Sequence, residues 1–266
     1  MPWDCHCCLL PLFEEMREPR NFVGRLVEAV ALGIDVENFA LVTHRVPADR
    51  VRRHLPRAYD LETFEGGTGE YCFVTATCFC NRNFRINMLS NPRHTFNETT
   101  YRTYVSFKGR KGVYFFGRYL GTSLALVAQR ILNRDVFKAE FDLCIERGPQ
   151  GYVSYMCNAS SSQGETSFSL EATDQPLQKP PWASGEEHSQ YFTHRLDGYF
   201  TSSIGFQAHS PVSHQRMRPY SGQLHGGRFE LWEQLGIVPR AEAHMPYSIL
   251  VAPGTHFTLY PPRPAI

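Results

Sequence analysis

The chain has 266 residues, 42% of them hydrophobic, with 27 basic and 26 acidic side chains and a formal charge of +1. That length suits one large domain, and the balanced charge excludes a long-range field that would recruit nucleic acid or an anionic membrane surface. No apolar run approaches the roughly 18 residues of a membrane helix, and 8 cysteines are too sparse for a disulfide scaffold.

Residues 1–36 read as an N-terminal arm and 37–266 as the main domain. The start, Met1-Pro2-Trp3-Asp4, shows no basic leader before an apolar stretch, so a cytoplasmic protein with reduced thiols is expected. Phe22, Leu26, Ala29 and Val30 recur at helical spacing, and Gly33 is placed to end that helix. Residues 39–43 predict a strand. A short helix follows, with Pro47 near its start, Val51 and Leu55 on its apolar side and Pro56 at its end. Residues 71–80 predict a strand, and the polar stretch 81–95 a loop. Strands over 100–108 and 112–119, joined by Lys108-Gly109-Arg110-Lys111, form the clearest hairpin.

Thr122 or Ser123 can cap the next helix, whose predicted buried stripe is Leu124, Val127, Ala128, Ile131 and Leu132. Residues 139–147 and 152–160 form another hairpin, and 166–172 a further strand. Residues 173–187 are Pro-rich and polar, which predicts a surface loop. Strands are predicted over 191–200, 206–218 and 256–260, with a short helix over 229–235 closed by Gly236. Many strands linked by hairpins, with few helices, imply an antiparallel sheet system.

Several tempting motifs lead nowhere. Cys5-His6-Cys7-Cys8 carries zinc-type ligands, but the spacing is tight and no second ligand pair lies nearby; a terminal segment is the plainer reading. Cys72, Cys78 and Cys80 share a strand face with Val74 and Ala76, as packing residues do. His209 and His214 stand five apart on a predicted strand and so point to opposite faces. The sequence contains no His-Glu-x-x-His or Gly-x-Ser-x-Gly, and Gly66-Gly67-Thr68-Gly69 precedes a strand rather than a helix. No metal and no cofactor is expected.

The first hairpin is more informative. Alternation puts Thr100, Arg102, Tyr104 and Ser106 on one face, and extended backbone brings Glu98 onto it. Arg118 sits among Val113, Tyr114, Phe115, Phe116 and Tyr119. An isolated buried charge costs several kcal/mol, so this arginine needs a partner or water. The set forms either a Glu98–Arg102 or Glu98–Arg118 ion pair on a wet face, or the polar floor of a pocket.

Here the sequence resembles the YqjF-like family, a domain of unknown function within the acetoacetate decarboxylase-like superfamily. The resemblance rests on Thr43-His44-Arg45-Val46-Pro47 with Leu55-Pro56, on Asn97-Glu98 with Arg102-Thr103-Tyr104-Val105, and on Gly112-Val113-Tyr114-Phe115-Phe116. It continues through the helix Ala125-Leu126-Val127-Ala128-Gln129-Arg130-Ile131-Leu132-Asn133 and spans roughly 38–262. It implies a mainly β (α+β) fold: an antiparallel, barrel-like sheet around a pocket with a few flanking helices. Acetoacetate decarboxylases are similar from Asn97 to about Lys138. In them a glutamate falls at Glu98, and the helix leads into two adjacent lysines, one forming a Schiff base with a β-keto acid. By that resemblance the Schiff-base position falls on Phe137 and its neighbour on Lys138, and no arginine clearly matches the family's other pocket charge.

A phenylalanine forms no imine. The expectation is therefore a protein that holds a small carbonyl or carboxylate compound, with Arg102, Tyr104, Arg118 and Phe137 around it. The alternative is an enzyme on a keto acid or related carbonyl compound, with Glu98 as acid or base and Tyr104 or Lys138 assisting. A third class is a protein acting through a partner surface, and the superfamily implies a possible homo-oligomer.

Overall fold

The computed structural model describes residues 27, 29–89, 91–148, 151–173 and 175–265. Strand β1 (Leu32–Pro47) lies between β4 (Gly69–Ile86) and β13 (Ser248–Leu259), with its backbone paired on both sides. The hairpin β5 (His94–Phe107) and β6 (Arg110–Leu120) adjoins β4. Its turn is tighter than expected: Lys108 and Gly109 alone make it, with φ of 49° and 78°. Two successive positive φ values suit the right-handed twist of the flanking strands.

β7 (Val136–Gly148), β8 (Gly151–Ser161), β9 (Gly164–Thr173) and β12 (Tyr220–Phe229) continue from β6 back to β13. A second path from β6 to β13 runs through β10 (Asp197–Thr201) and β11 (Gln207–His214). With short edge strands β2 (Asp60–Leu61), β3 (Phe64–Gly66) and β14 (Arg263–Pro264), these form one 14-stranded sheet that closes on itself twice. Both rings share β13, β1, β4, β5 and β6 as a common wall. The larger closes through β7, β8, β9 and β12, the smaller through β10 and β11. Pairing is antiparallel except at β10–β6 and β6–β7. The mainly β, antiparallel architecture agrees with the sequence reading.

A strand wall between two interiors must be apolar on both faces, which explains why β4 reads as a nearly unbroken apolar run. Cys72, Val74, Ala76 and Cys78 face the larger ring, where Tyr101, Tyr155, Phe168, Phe229 and Trp232 fill the core. Phe73 and Phe79 face the smaller ring with Leu41, Tyr104, Phe192 and Leu250. Gly112 is required by the second closure: a Cβ there would stand 2.4 Å from the Asp197 carbonyl oxygen, where β10 meets β6.

Among the described residues, helices beside the sheet include α1 (Ala48–Arg52), α2 (Leu124–Ile131), α3 (Gly185–Thr193) and α4 (Glu230–Gln234). Among the described residues no helix is long and apolar enough to cross a membrane. α1 and α4 lie where expected, and Gly236 after α4 has a φ of 63°.

Four local expectations are corrected. Gly33 does not end a helix: Val27, Ala29 and Val30 are helical, but Gly33 pairs with Thr258 and Arg85 inside β1. Phe22, Leu26 and the Cys5–Cys8 motif lie outside the described residues. The polar stretch after Cys80 is no loop at first. β4 runs on to Ile86 because Arg82 and Asn83 find Glu37 and Asp35 on β1 at 2.6 and 2.7 Å. Residues 191–200 are not one strand, since α3 occupies their first part. Its start is a variant of the capping box: Glu187 N–H donates to Ser184 Oγ at 3.1 Å, while Glu187 Oε2 accepts at 2.9 Å from the N–H of Ala183, one residue before the cap.

The fourth concerns α2. Ala125 is its buried residue, on Phe96, Leu120 and Val136, whereas Leu126, Val127, Ile131 and Leu132 are 49%, 54%, 67% and 45% exposed. The helix lies on the sheet by Ala125 and Ala128, so of the stripe predicted from its periodicity the large residues Val127, Ile131 and Leu132 face outward, while Ala128 packs on the sheet and Leu124 is half-buried.

Candidate functional site

The alternation on β5 puts Glu98, Thr100, Arg102 and Tyr104 toward the smaller ring and Tyr101 toward the larger. On β6 a bulge intervenes. Tyr101 pairs with Gly117 and Arg102 with Phe115, leaving Phe116 as the extra residue. Arg118 therefore shares the smaller ring's side with Phe115 and Val113, while Phe116 turns to Trp232 in the larger. A cavity of about 100 Å³ lies here. Ile34, Val36 and Phe39 of β1, Phe79 and Asn81 of β4, and Phe257 and Leu259 of β13 close its sides. The last residue of α3, Thr193, contributes with Arg195 just after it and Asp197 at the start of β10, and β11 contributes Val212 and His214.

The charges in this wall are arranged unequally. Glu98, 3% exposed, accepts from Arg118 Nε and Nη2 on Oε1 at 2.8 and 2.7 Å, and from Asn81 Nδ2 on Oε2 at 2.8 Å. Both carboxylate oxygens are thus engaged, and Arg118 is its ionic partner rather than Arg102. Arg195 donates from Nη1 and Nη2 to the two carboxylate oxygens of Glu62, each at 3.0 Å, and its guanidinium lies 4.1 Å from the Tyr191 ring centroid. Asp197 accepts from Arg110 at 3.3 Å and also meets His209 Nε2.

Arg102 differs. Its Nη2 donates to the Phe192 carbonyl at 2.9 Å, and its Nε is buried without a hydrogen-bond partner. Among the described residues no carboxylate pairs with it. A guanidinium that lines a cavity without a carboxylate of its own attracts a carboxylate or another anionic oxygen.

His214 is held neutral. Burial pushes its pKa down to about 4; the hydrogen bond to Gln215 opposes this, and the nearby His194 and Arg102 reinforce it. The ring stacks on Phe257 with centroids 4.2 Å apart.

Of the residues expected at the site, Glu98, Arg102 and Arg118 line the cavity. Tyr104 does not: it is fully buried beneath it, its hydroxyl 2.8 Å from Thr75 Oγ1, with Tyr191 and Phe192 on its ring. Phe137 and Lys138 also stand elsewhere. β6 and β7 pair in parallel with Tyr119 opposite Phe137 and Leu120 opposite Lys138. Phe137 consequently shares the face of Tyr119 and packs on it inside the larger ring. Lys138 is exposed. β7 belongs to the larger ring only, since the ring around the cavity leaves β6 through β10. Among the described residues no lysine lines the cavity.

Arg195 and Glu62 escaped the sequence reading, and His214 entered it only as half of a histidine pair set aside because the two point to opposite strand faces. The Ser184–Glu187 capping box was the available signal for α3, and hence for Arg195 one turn beyond Tyr191. His214 has no local signal; it reaches the cavity because β11 pairs with β13, setting His214 opposite Phe257.

Three comparisons bear on this architecture. The family model DUF2071, described as an uncharacterized conserved protein, matches residues 34–256. No curated protein matches the chain. Among solved structures, the enduracididine biosynthesis enzyme MppR complexed with pyruvate is similar at 16% identity and a TM-score of 0.58, over 89% of this chain and 90% of that one. An acetoacetate decarboxylase-like enzyme from Sphingomonas wittichii RW1 is 12% identical, with a TM-score of 0.57 over 90% and 94%. The acetoacetate decarboxylase from Legionella pneumophila subsp. pneumophila str. Philadelphia 1 is 12% identical, with a TM-score of 0.56 over 88% and 86%. At such identities the likeness establishes the acetoacetate decarboxylase-like fold.

Proposed function

We propose a function from one premise: the chain belongs to the DUF2071 family of uncharacterized conserved proteins, built on the acetoacetate decarboxylase-like fold. The protein binds a small carboxylate or carbonyl compound, without covalent chemistry, in the cavity of its smaller ring. The observation that carries this reading is Arg102, the wall's one guanidinium that lines the cavity with no carboxylate partner among the described residues. Apolar walls from Val36, Phe39, Val113 and Phe115 suit a short carbon skeleton. A comparable engineered cavity of about 150 Å³ holds one benzene, so a space of about 100 Å³ suits a compound of only a few heavy atoms. The pyruvate in the MppR complex lends support to that ligand class.

Imine chemistry draws no support. The resemblance to the decarboxylases puts Phe137 at their nucleophile position, and among the described residues the cavity lining includes no lysine. Acid–base turnover by Glu98 is also weakly supported, because both its oxygens are already engaged and Tyr104 and Lys138 lie outside the cavity.

Two measurements test this. Small carboxylates should raise the thermal midpoint of the wild type and leave that of Arg102→Met unmoved. Borohydride added with a keto acid should leave the protein mass unchanged. A mass increase mapped to any lysine would overturn the non-covalent reading, and equal midpoint shifts in both proteins would remove Arg102 from it.

A further inference from the structure

We propose that His214 makes this cavity selective for small monocarboxylates that carry a hydroxyl group, over their oxo and deoxy counterparts. The inference rests on the carboxylate-binding reading above and names the ligand class within it.

The charge inventory sets the number of anionic groups. Arg118 is matched by Glu98, Arg195 by Glu62, and Asp197 by Arg110 with His209. One cation, Arg102, is left over. A single carboxylate neutralises it, whereas a second would enter a confined space without a counter-charge.

The uncharged end of the ligand meets acceptors. His214 Nδ1 lies 2.8 Å from the Gln215 carbonyl oxygen, and only an N–H makes that bond. In the neutral ring the proton is therefore on Nδ1 and Nε2 carries a lone pair. No protein group among the described residues hydrogen-bonds to Nε2. Stacking on Phe257 and the edge of His194, 4.9 Å between centroids, fix the ring plane. Thr193 points the same way: its hydroxyl proton is committed to the Ser189 carbonyl at 2.7 Å, so towards a ligand it only accepts.

Lone pairs at this end reward a donor. A ligand hydroxyl gives Nε2 its missing hydrogen bond. A carbonyl oxygen would set lone pair against lone pair, and a methylene would remove water from Nε2 without replacing it. Sites built to bond a hydroxyl discriminate in this way because the alternative leaves a polar group unpaired.

Titration calorimetry at pH 7.5 with matched acids tests the proposal: lactate, pyruvate and propionate, then 3-hydroxybutyrate, acetoacetate and butyrate. In each set the hydroxy acid should bind about tenfold more tightly than the other two, the effect of roughly one net hydrogen bond. In His214→Phe, which keeps the stack on Phe257, that preference should fall below about threefold while acid binding persists. His214→Gln, whose amide can turn either oxygen or NH₂ to the ligand, should also bind hydroxy and oxo acids about equally, and it decides the matter should the Phe variant not fold. Oxo or deoxy acids binding as well as hydroxy acids to the wild type would overturn the selectivity and leave the carboxylate reading standing. Failure of all six to bind would overturn both. A preference unchanged in both variants would remove His214 from it.

Discussion

The two rings share five strands, yet one interior is filled and the other is not. In the larger, Tyr101, Tyr155, Phe168, Phe229 and Trp232 are at most 3% exposed and pack against one another. In the smaller, aromatic packing around Phe73 and Phe192 gives way to a cavity bordered by ion pairs. Strand β5 serves both. Tyr101 supports the filled ring while Glu98, Thr100 and Arg102 face the open one. A wall with two inner faces thus lets alternate residues of one strand answer separately for stability and for binding.

The largest effects should come from the filled side. Trp232→Ala should cost about 3–5 kcal/mol in urea unfolding, because a closed core relaxes only partly around the void. Phe115→Ala, beside an existing cavity, should cost about 1–2 kcal/mol. Equal costs would mean that the two interiors do not differ in packing.

Next comes the ion pair in the shared wall. Glu98→Leu leaves Arg118 without its partner and should cost about 2–3 kcal/mol, less than a fully buried pair because part of the guanidinium reaches water. Adding Arg118→Leu should recover most of that loss, and a double-mutant cycle reads the coupling directly. No recovery would show the pair to be dispensable.

A smaller effect follows from His188 on α3, which is 1% exposed and lies against Trp182, Phe192 and Tyr247. Burial first, then the charge of Lys179, lowers its pKa to about 4 from an ordinary 6.5. The unfolded chain binds its proton first on acidification, so stability is complete above pH 6.5 and declines as pH falls towards 4. Stability should fall measurably across that range, and His188→Phe should flatten the decline in urea melts. His214, with its pKa also lowered to about 4, contributes in the same direction. An unchanged slope in the variant would show that His188 titrates normally. The smallest stability effect belongs to Arg102→Met, within about 0.5 kcal/mol, since it removes a charge that no carboxylate neutralises. A large loss there would make Arg102 structural.

The sequence disclosed this division unevenly. Local chemistry was readable: the hairpin around Gly109, the placement of Glu98 with Arg102, and the helix closed by Gly236. The Glu98–Arg118 pair was among the readings left open. Readings that depended on long-range pairing were not. Whether Phe137 faces the cavity depends on which ring receives β7, and no residue near Phe137 encodes that. The bulge at Phe116 moves Arg118 to its working side, although the residues around it read as plain alternation. The stripe of α2 misled because small residues, rather than large ones, rest on the sheet. His214 joins Arg102 only through the β11–β13 contact.

The central claim is that an acid seats its carboxylate on Arg102 inside the smaller ring. A crystal structure grown with lactate tests it most directly. The expected result is a carboxylate within hydrogen-bond distance of the Arg102 guanidinium, beside an intact Glu98–Arg118 pair. An acid found elsewhere, or one that displaces Glu98 from Arg118 and leaves Arg102 untouched, would contradict it.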